Sequence, residues 1–196
     1  LLRVEQTPEQ QITKRLDDLR TVQQLLPDDA EAYAIAARIN QQCGRFVAAS
    51  EAATKAVDID GENAAHRILL AEVNLHLGQS KEALRAIRAV LAEDRISSLE
   101  KAEAQFVLGR LLAGSPTHQY KQAMEETVSA IKLAAAEAKS DPGPTRQRAQ
   151  RLLVRAELSL AEILSYGHWK QRHTVVPQWL ASAEKAVNEH IEKDGA

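Results

Sequence analysis

The chain has 196 residues and a net charge of −2, which fits one compact domain or a short repeat array and gives no general affinity for nucleic acid or membranes. Hydrophobic residues make up 44% but aromatic residues only 4%, so we expect an all-α core of Ala and Leu, the best helix formers. The single cysteine, Cys43, excludes an internal disulfide and a cysteine metal cluster.

No apolar run approaches the ~20 residues of a membrane span, and the compartment stays open. The sequence begins LLRVEQ, without Met or a signal-peptide pattern, as expected of a piece of a longer protein, with or without a removed signal or anchor. Thr7, Pro8 and Gln10 form a helix start signal, and Pro27 ends the apolar periodicity that follows. The sequence therefore predicts a first helix over 8–26.

The next part of the chain repeats itself. A shift of 34 residues places Ala30 on Ala64 and matches a set of identical residues further on. The identical pairs include Ala37 and Ala71, Asn40 and Asn74, Gly44 and Gly78, Ala49 and Ala83, and Asp60 and Asp94. Each unit reads as helix, Gly-containing turn, helix, because Gly adopts the left-handed conformation that a tight reversal needs.

Two further helix pairs follow with insertions. Ser97 and Glu100 predict a capping box, and a long second helix is expected over 120–139. The run Asp141-Pro142-Gly143-Pro144 marks a break. A fourth, divergent pair is predicted with helices over 145–166 and from Pro177 to about 192, joined by an exposed basic loop that includes 170–174.

This helix-turn-helix unit resembles the tetratricopeptide repeat family. Tyr33 stands for the family's opening aromatic residue, and Leu108-Gly109 is the best match to its Leu-Gly pair. The resemblance implies one domain over 1–196, a right-handed α-α superhelix (a solenoid) of three to four helical hairpins plus an N-terminal helix. The predicted parts are a half repeat over 7–27, repeats over 28–61 and 62–95, a repeat with an insertion over 96–141, and a divergent repeat over 142–196.

In this family the first helix of each pair lines a concave face that binds peptides or helices. The resemblance carries that role to residues spaced by three or four on the three first helices. They are Ala34, Arg38, Gln41, Ile68, Glu72, Leu75, Phe106 and Arg110. Two alternatives stay open: the charges pair between repeats on a solvated face, or Phe106 packs against the fourth pair.

The region 142–180 is locally basic, with six basic residues against two acids. Its predicted basic patch is Arg148, Arg151, Arg155, Lys170 and Arg172. This patch would attract an acidic partner, or it would pair with acids of the preceding helix such as Glu125, Glu126 and Glu137. We do not expect a nucleic-acid partner, because interleaved aromatics and overall basicity are lacking.

The sequence offers no catalytic or metal-ligating set, so we expect neither an enzyme nor a cofactor. His168 and His173 lie five residues apart, which is not a helical metal-ligand spacing. The leading hypothesis is a protein-interaction scaffold or adaptor that binds a protein or peptide in its concave face. The alternative is a structural or oligomerising segment, which self-associates through the apolar stripe Trp179, Leu180, Ala183 and Val187 of the C-terminal helix.

Overall fold

A computed structural model describes residues 8–114, 118–166 and 172–194, and all regular structure in these ranges is α-helical. The helices are α1 (Pro8–Leu25), α2 (Ala30–Gln42), α3 (Phe46–Ile59), α4 (Ala64–His76), α5 (Ser80–Leu91), α6 (Ser98–Ala113), α7 (Tyr120–Glu137), α8 (Pro144–Tyr166) and α9 (Arg172–Asp194). The chain divides within α5 into two compact units, Leu1–Ala83 and Leu84–Ala196, which are described separately.

The helices of unit 1 begin and reverse where the sequence predicts. The Asp29 carboxylate caps α2 by accepting from the backbone N–H groups of Glu31 and Ala32. Gly44 follows α2 and Gly78 follows α4, with φ of 71° and 75°. A side chain at either position would be strained in this left-handed conformation, so glycine permits both reversals.

Small side chains form the core of unit 1. Its buried cluster consists of Ala34, Ala37, Ala49, Ala53, Ala56, Leu69 and Val73. Alanines that are fully buried allow α2, α3 and α4 to pack closely, since a helix with short side chains lets a neighbouring backbone approach. At the edge of this core, the rings of Phe46 and His76 stack with centroids 4.5 Å apart.

In unit 2, α6 and α7 also approach each other closely. The capping box predicted for α6 is present, with Ser97 and Glu100 bonding each other's backbone N–H groups. Further along α6, a Cβ atom added to Gly109 would lie 2.3 Å from Oγ1 of Thr127 and 3.1 Å from the carbonyl oxygen of Ala123. Glycine is therefore required at 109 by the neighbouring helix.

The beginning of α9 differs from the prediction. The sequence predicts that Pro177 starts this helix, but the helix starts at Arg172 and includes Pro177. Residues 172–174 were predicted to form an exposed loop; they are helical, although His173 and Thr174 are exposed as predicted, and 170–171 lie outside the described residues. Pro177 lies past the first turn of α9, so it lacks an N–H to donate to the carbonyl four residues earlier and its ring crowds that carbonyl, which weakens the helix there.

Replacement of Gly109 by alanine is expected to lower the free energy of unfolding by up to about 2 kcal/mol. Overpacking against Thr127 costs about 1–3 kcal/mol, and the better helix propensity of alanine returns about 1 kcal/mol. Urea denaturation measures the change. Gly114→Ala is the control, because a Cβ atom there would meet its nearest neighbour, the Arg110 carbonyl oxygen, at an ordinary 3.4 Å. A Gly109→Ala variant that is about 1 kcal/mol more stable than wild type, which is the helix-propensity gain alone, would contradict the close approach.

Candidate functional site

The exposed stripe of α2 differs from the predicted one. Ala34 is fully buried among the core alanines, whereas Arg38 and Gln41 are half-buried. The side chains that α2 presents to solvent follow a spacing of four, three and four residues, namely Glu31, Ile35, Arg38 and Gln42. Ala34 faces the core because α3 packs on that side of α2.

The predicted groove residues of α4 are mostly covered. Ile68 is 3% and Glu72 is 7% exposed, and Leu75 is half-buried. Ile68 and Glu72 therefore contribute to packing in this structure and offer little surface to a partner.

Glu31 connects the two first helices of unit 1. Its carboxylate accepts a hydrogen bond from Nη1 of Arg38 at 3.2 Å and lies 3.4 Å from Nε2 of the buried His66 on α4. The alternative interpretation expected the charges to pair between repeats, but Arg38 pairs with Glu31 of its own helix. Such a half-exposed pair is worth about 0–1 kcal/mol.

Phe106 lies between the first helices of unit 2. The ring is only 3% exposed, and Cζ of Arg155 on α8 lies 4.8 Å from the ring centroid. Arg110, one turn further along α6, has its Cζ 5.8 Å from the same centroid. Phe106 therefore packs against the fourth pair, as the alternative interpretation holds, and two guanidinium groups lie near its ring.

A bidentate ion pair joins α6 to α8. Nε and Nη2 of Arg148 donate to the two carboxylate oxygens of Glu103, each at 2.5 Å. The partner of Arg148 is thus an acid of α6, whereas the sequence pointed to acids of α7. The planar guanidinium matches a carboxylate in this bidentate arrangement, so the pair fixes the register of the two helices as well as adding binding energy.

Of the other residues in the predicted basic patch, the structure places only two beside Arg148. Arg151 and Arg155 are exposed on α8, on the same side as Arg148. Lys170 lies outside the described residues, and Arg172 starts α9 with its side chain outside them. The exposed stripe of α8 continues beyond the arginines with residues outside the predicted patch, namely Leu158, Glu162 and Tyr166.

A buried carboxyl group lies between α8 and α9. Glu157 is 5% exposed, and its Oε1 accepts a hydrogen bond of 2.7 Å from the hydroxyl of Ser182. Among the described residues, no group donates to its Oε2. Burial raises the pKa of the Glu157 carboxyl above its ordinary value of 4.5, and the bond from Ser182 offsets part of that rise.

Unit 1 also has a cleft that the sequence did not predict. It encloses about 550 Å³ between α1 and α3, above the small side chains of Ala36, Ala48 and Ala52. Its lining includes the basic residues Arg20 and Arg45. Leu16, a buried residue of α1, also lines this cleft, and no sequence motif marks it.

Within the described residues, no group of three or more His, Cys, Asp or Glu side chains is arranged to hold a metal ion. No helix in the described ranges is long and apolar enough to cross a membrane.

Comparison with known proteins shows the fold. No protein-family model and no curated protein matches the chain, but solved structures of MamA do. One crystal structure of MamA has a TM-score of 0.56 at 15% identity and covers 90% of this chain and 89% of that chain. A second has a TM-score of 0.55 at 16% identity and covers 94% of this chain and 84% of that chain. A MamA RS-1 double mutant has a TM-score of 0.56 at 16% identity and covers 91% of this chain and 86% of that chain.

MamA is a TPR-like helical solenoid, so the predicted fold class, an all-α TPR-like solenoid, is confirmed. The resemblance to tetratricopeptide repeats holds at the level of the fold. Identities of 15% and 16% carry no information on what the chain binds.

Replacement of Glu157 by glutamine is expected to stabilise the protein at about pH 7 and to have little effect at about pH 4. Because the pKa is raised in the folded state, the contribution of Glu157 is fully present below 4.5 and is lost as the pH rises through the folded-state value. Glutamine keeps an oxygen for Ser182 and carries no charge to desolvate. The measurement is the melting temperature against pH.

Glu162→Gln serves as the control, since Glu162 is exposed on the same helix. A Glu157→Gln variant that melts below wild type at about pH 7 would show that the carboxylate is stabilised in the fold and would contradict the raised pKa.

Proposed function

We propose that this chain is a non-enzymatic protein-interaction module, a scaffold or adaptor, that holds a peptide or helix of a partner protein against its first helices. The likeness to the MamA structures supports the class of fold on which such a role is common. It does not name a partner, so the argument depends on the surface of the first helices.

The observation that carries the proposal is that the first helices of each unit, taken separately, expose a mixed surface. On α8, Leu158 is 47% and Tyr166 is 64% exposed, in one stripe with the exposed Arg155 and Glu162. On α2, Ile35 is 39% exposed between Glu31 and Arg38. Single exposed apolar residues are ordinary on a protein surface. A stripe of apolar and charged side chains at helical spacing fits the pattern with which helices recognise peptides.

The predicted groove residues keep a role in this proposal where they are accessible. Arg38, Gln41, Leu75 and Arg110 are half-buried, so each has atoms that a partner can reach. Ala34, Ile68, Glu72 and Phe106 are buried and act through the packing that positions their neighbours. Binding by the accessible residues stays a prediction.

A second candidate function is self-association through α9, as a structural or oligomerising segment. Leu180 is 45% and Val187 is 39% exposed. They lie seven residues apart and therefore on one side of the helix. Ala183 is buried and Trp179 is half-buried, so the predicted stripe divides between two sides of α9. The exposed side would be covered by a second copy of the chain.

Site-specific photo-crosslinking separates the two functions. A photoreactive residue at Gln42 on α2 or Glu162 on α8 samples the first helices, and one at Lys55 on α3 or Lys132 on α7 samples the second helices. All four side chains are exposed, so substitution there is expected to leave stability within about 0.5 kcal/mol. In extract of the source cells, we expect adducts with another protein from the first-helix positions only.

The same label at Val187 on α9 tests the second candidate. Adducts between copies from this position, without adducts to other proteins elsewhere, would favour self-association. Equal adduct yields from first and second helices would contradict the proposal that the first helices bind the partner.

A further inference from the structure

We propose that two copies of this chain associate through unit 1, with the corner that follows α1 in each copy seated in the cleft between α1 and α3 of the other. The corner consists of residues 25–28, and we call it the leucine corner. The inference goes beyond both candidate functions above, because it uses neither the exposed stripes of the first helices nor α9.

The leucine corner exposes two large apolar side chains next to each other. Leu25 is 74% and Leu26 is 58% exposed, and the exposed Pro27 continues the apolar surface. A single exposed leucine is ordinary, but neighbouring apolar side chains form a patch of the kind that marks interaction sites. Asp28 follows directly and is exposed as well. A surface that covers this corner therefore needs an apolar floor and a basic side chain.

The cleft of unit 1 offers an apolar floor with unfilled space above it. Its volume of about 550 Å³ lies within the range of about 300–1,000 Å³ that is typical of binding pockets. Ala36, Ala48 and Ala52 contribute only methyl groups to the lining, and Tyr33 adds a half-buried ring. Leucine side chains that enter from another molecule would be removed from water here, which is favourable.

The charges of the cleft complement the acid of the corner. The lining carries three basic residues against one acid, Glu51, and one of the three, Arg20, is already paired with Asp17. Lys55 is exposed at the rim, and among the described residues no acid pairs with Lys55 and no base pairs with Asp28. An ion pair between two copies would match these two charges.

The leucine corner lies at the end of the cleft that carries Lys55. Short loops join α1 to α2 and α2 to α3, so neighbouring helices run antiparallel. Gln23 near the end of α1, Tyr33 near the start of α2 and Lys55 near the end of α3 therefore line the same end. A two-fold axis beside this end would bring the corner of each copy to the cleft of the other, and two-fold dimers are the commonest oligomers.

Sedimentation velocity on the intact chain, from about 1 μM to 1 mM, measures the association. Leu26→Glu should weaken it at least about tenfold, because a charge would enter the apolar cleft. Lys55→Glu and Asp28→Lys should each weaken it about tenfold, since a two-fold contact uses every residue twice. Both charge reversals in one chain should restore it to within about threefold of wild type. The control Lys132→Glu, an equal reversal at an exposed position of α7, should change it less than about twofold.

Photo-crosslinking locates the contact on the second copy. A photoreactive residue replaces Leu26, and light and heavy-isotope chains are mixed in equal amounts so that mass spectrometry distinguishes adducts between copies from those within one chain. We expect adducts between copies, with the attachment site between Arg45 and Lys55. Circular dichroism of each variant checks that the helices are retained.

The outcomes separate this contact from the functions proposed above. A chain that stays monomeric over the whole range would overturn the inference and leave the interaction function standing. Association that resists the unit 1 variants but is lost on Leu180→Glu would overturn it in favour of α9. Equal weakening by Lys132→Glu and Lys55→Glu, or failure of the combined charge reversal to restore association, would overturn the pairing of corner and cleft. Adducts at Leu26 with a different protein in cell extract, and none between copies, would assign the cleft to that protein and overturn the inference.

Discussion

Close approach of neighbouring helices through small side chains is the constraint on which the structure depends. In unit 1 the core of α2, α3 and α4 is mostly alanine, and in unit 2 Gly109 leaves no room for a Cβ atom against Thr127. In unit 2, longer side chains also join α6 to α8. Arg148 meets Glu103, and Arg155 meets Phe106.

The candidate site of unit 2 is built on these contacts between the long side chains of α6 and α8. Side chains that join α6 and α8 are ordered by partners within the fold, while the outward stripe of α8 presents arginine, leucine and tyrosine to solvent. Recognition by a rigid helical surface needs both features: ordered side chains between α6 and α8, and exposed side chains on the outward stripe of α8. The buried Glu157 has a different effect. Burial disfavours its charged form, so the α8–α9 contact is weaker at pH values above the ordinary carboxyl pKa.

Sequence periodicity predicted the helices well, because caps, turn glycines and alanine spacing are local signals; Gly44, Gly78 and the Ser97–Glu100 box are where they were expected. The candidate site was harder to predict from the sequence than the helices were. Repeat register placed Ala34 and Ile68 in a groove, but which side of a helix is covered depends on neighbours distant in sequence. The partner of Arg148 lies 45 residues away on α6, and no local pattern distinguishes Glu103 from the acids of α7. Pro177 was misread because a proline near a helix start resembles a first-turn proline.

The central claim is that first helices of successive pairs contact each other through specific side chains. A double-mutant cycle of Arg148→Ala and Glu103→Ala, read by urea denaturation, tests it most directly. Since the side chains are 40% and 17% exposed, solvent screening limits the expected coupling energy to about 0.5–1 kcal/mol, falling with added salt. A coupling energy of about zero at low salt would show that the two helices are not joined in this register.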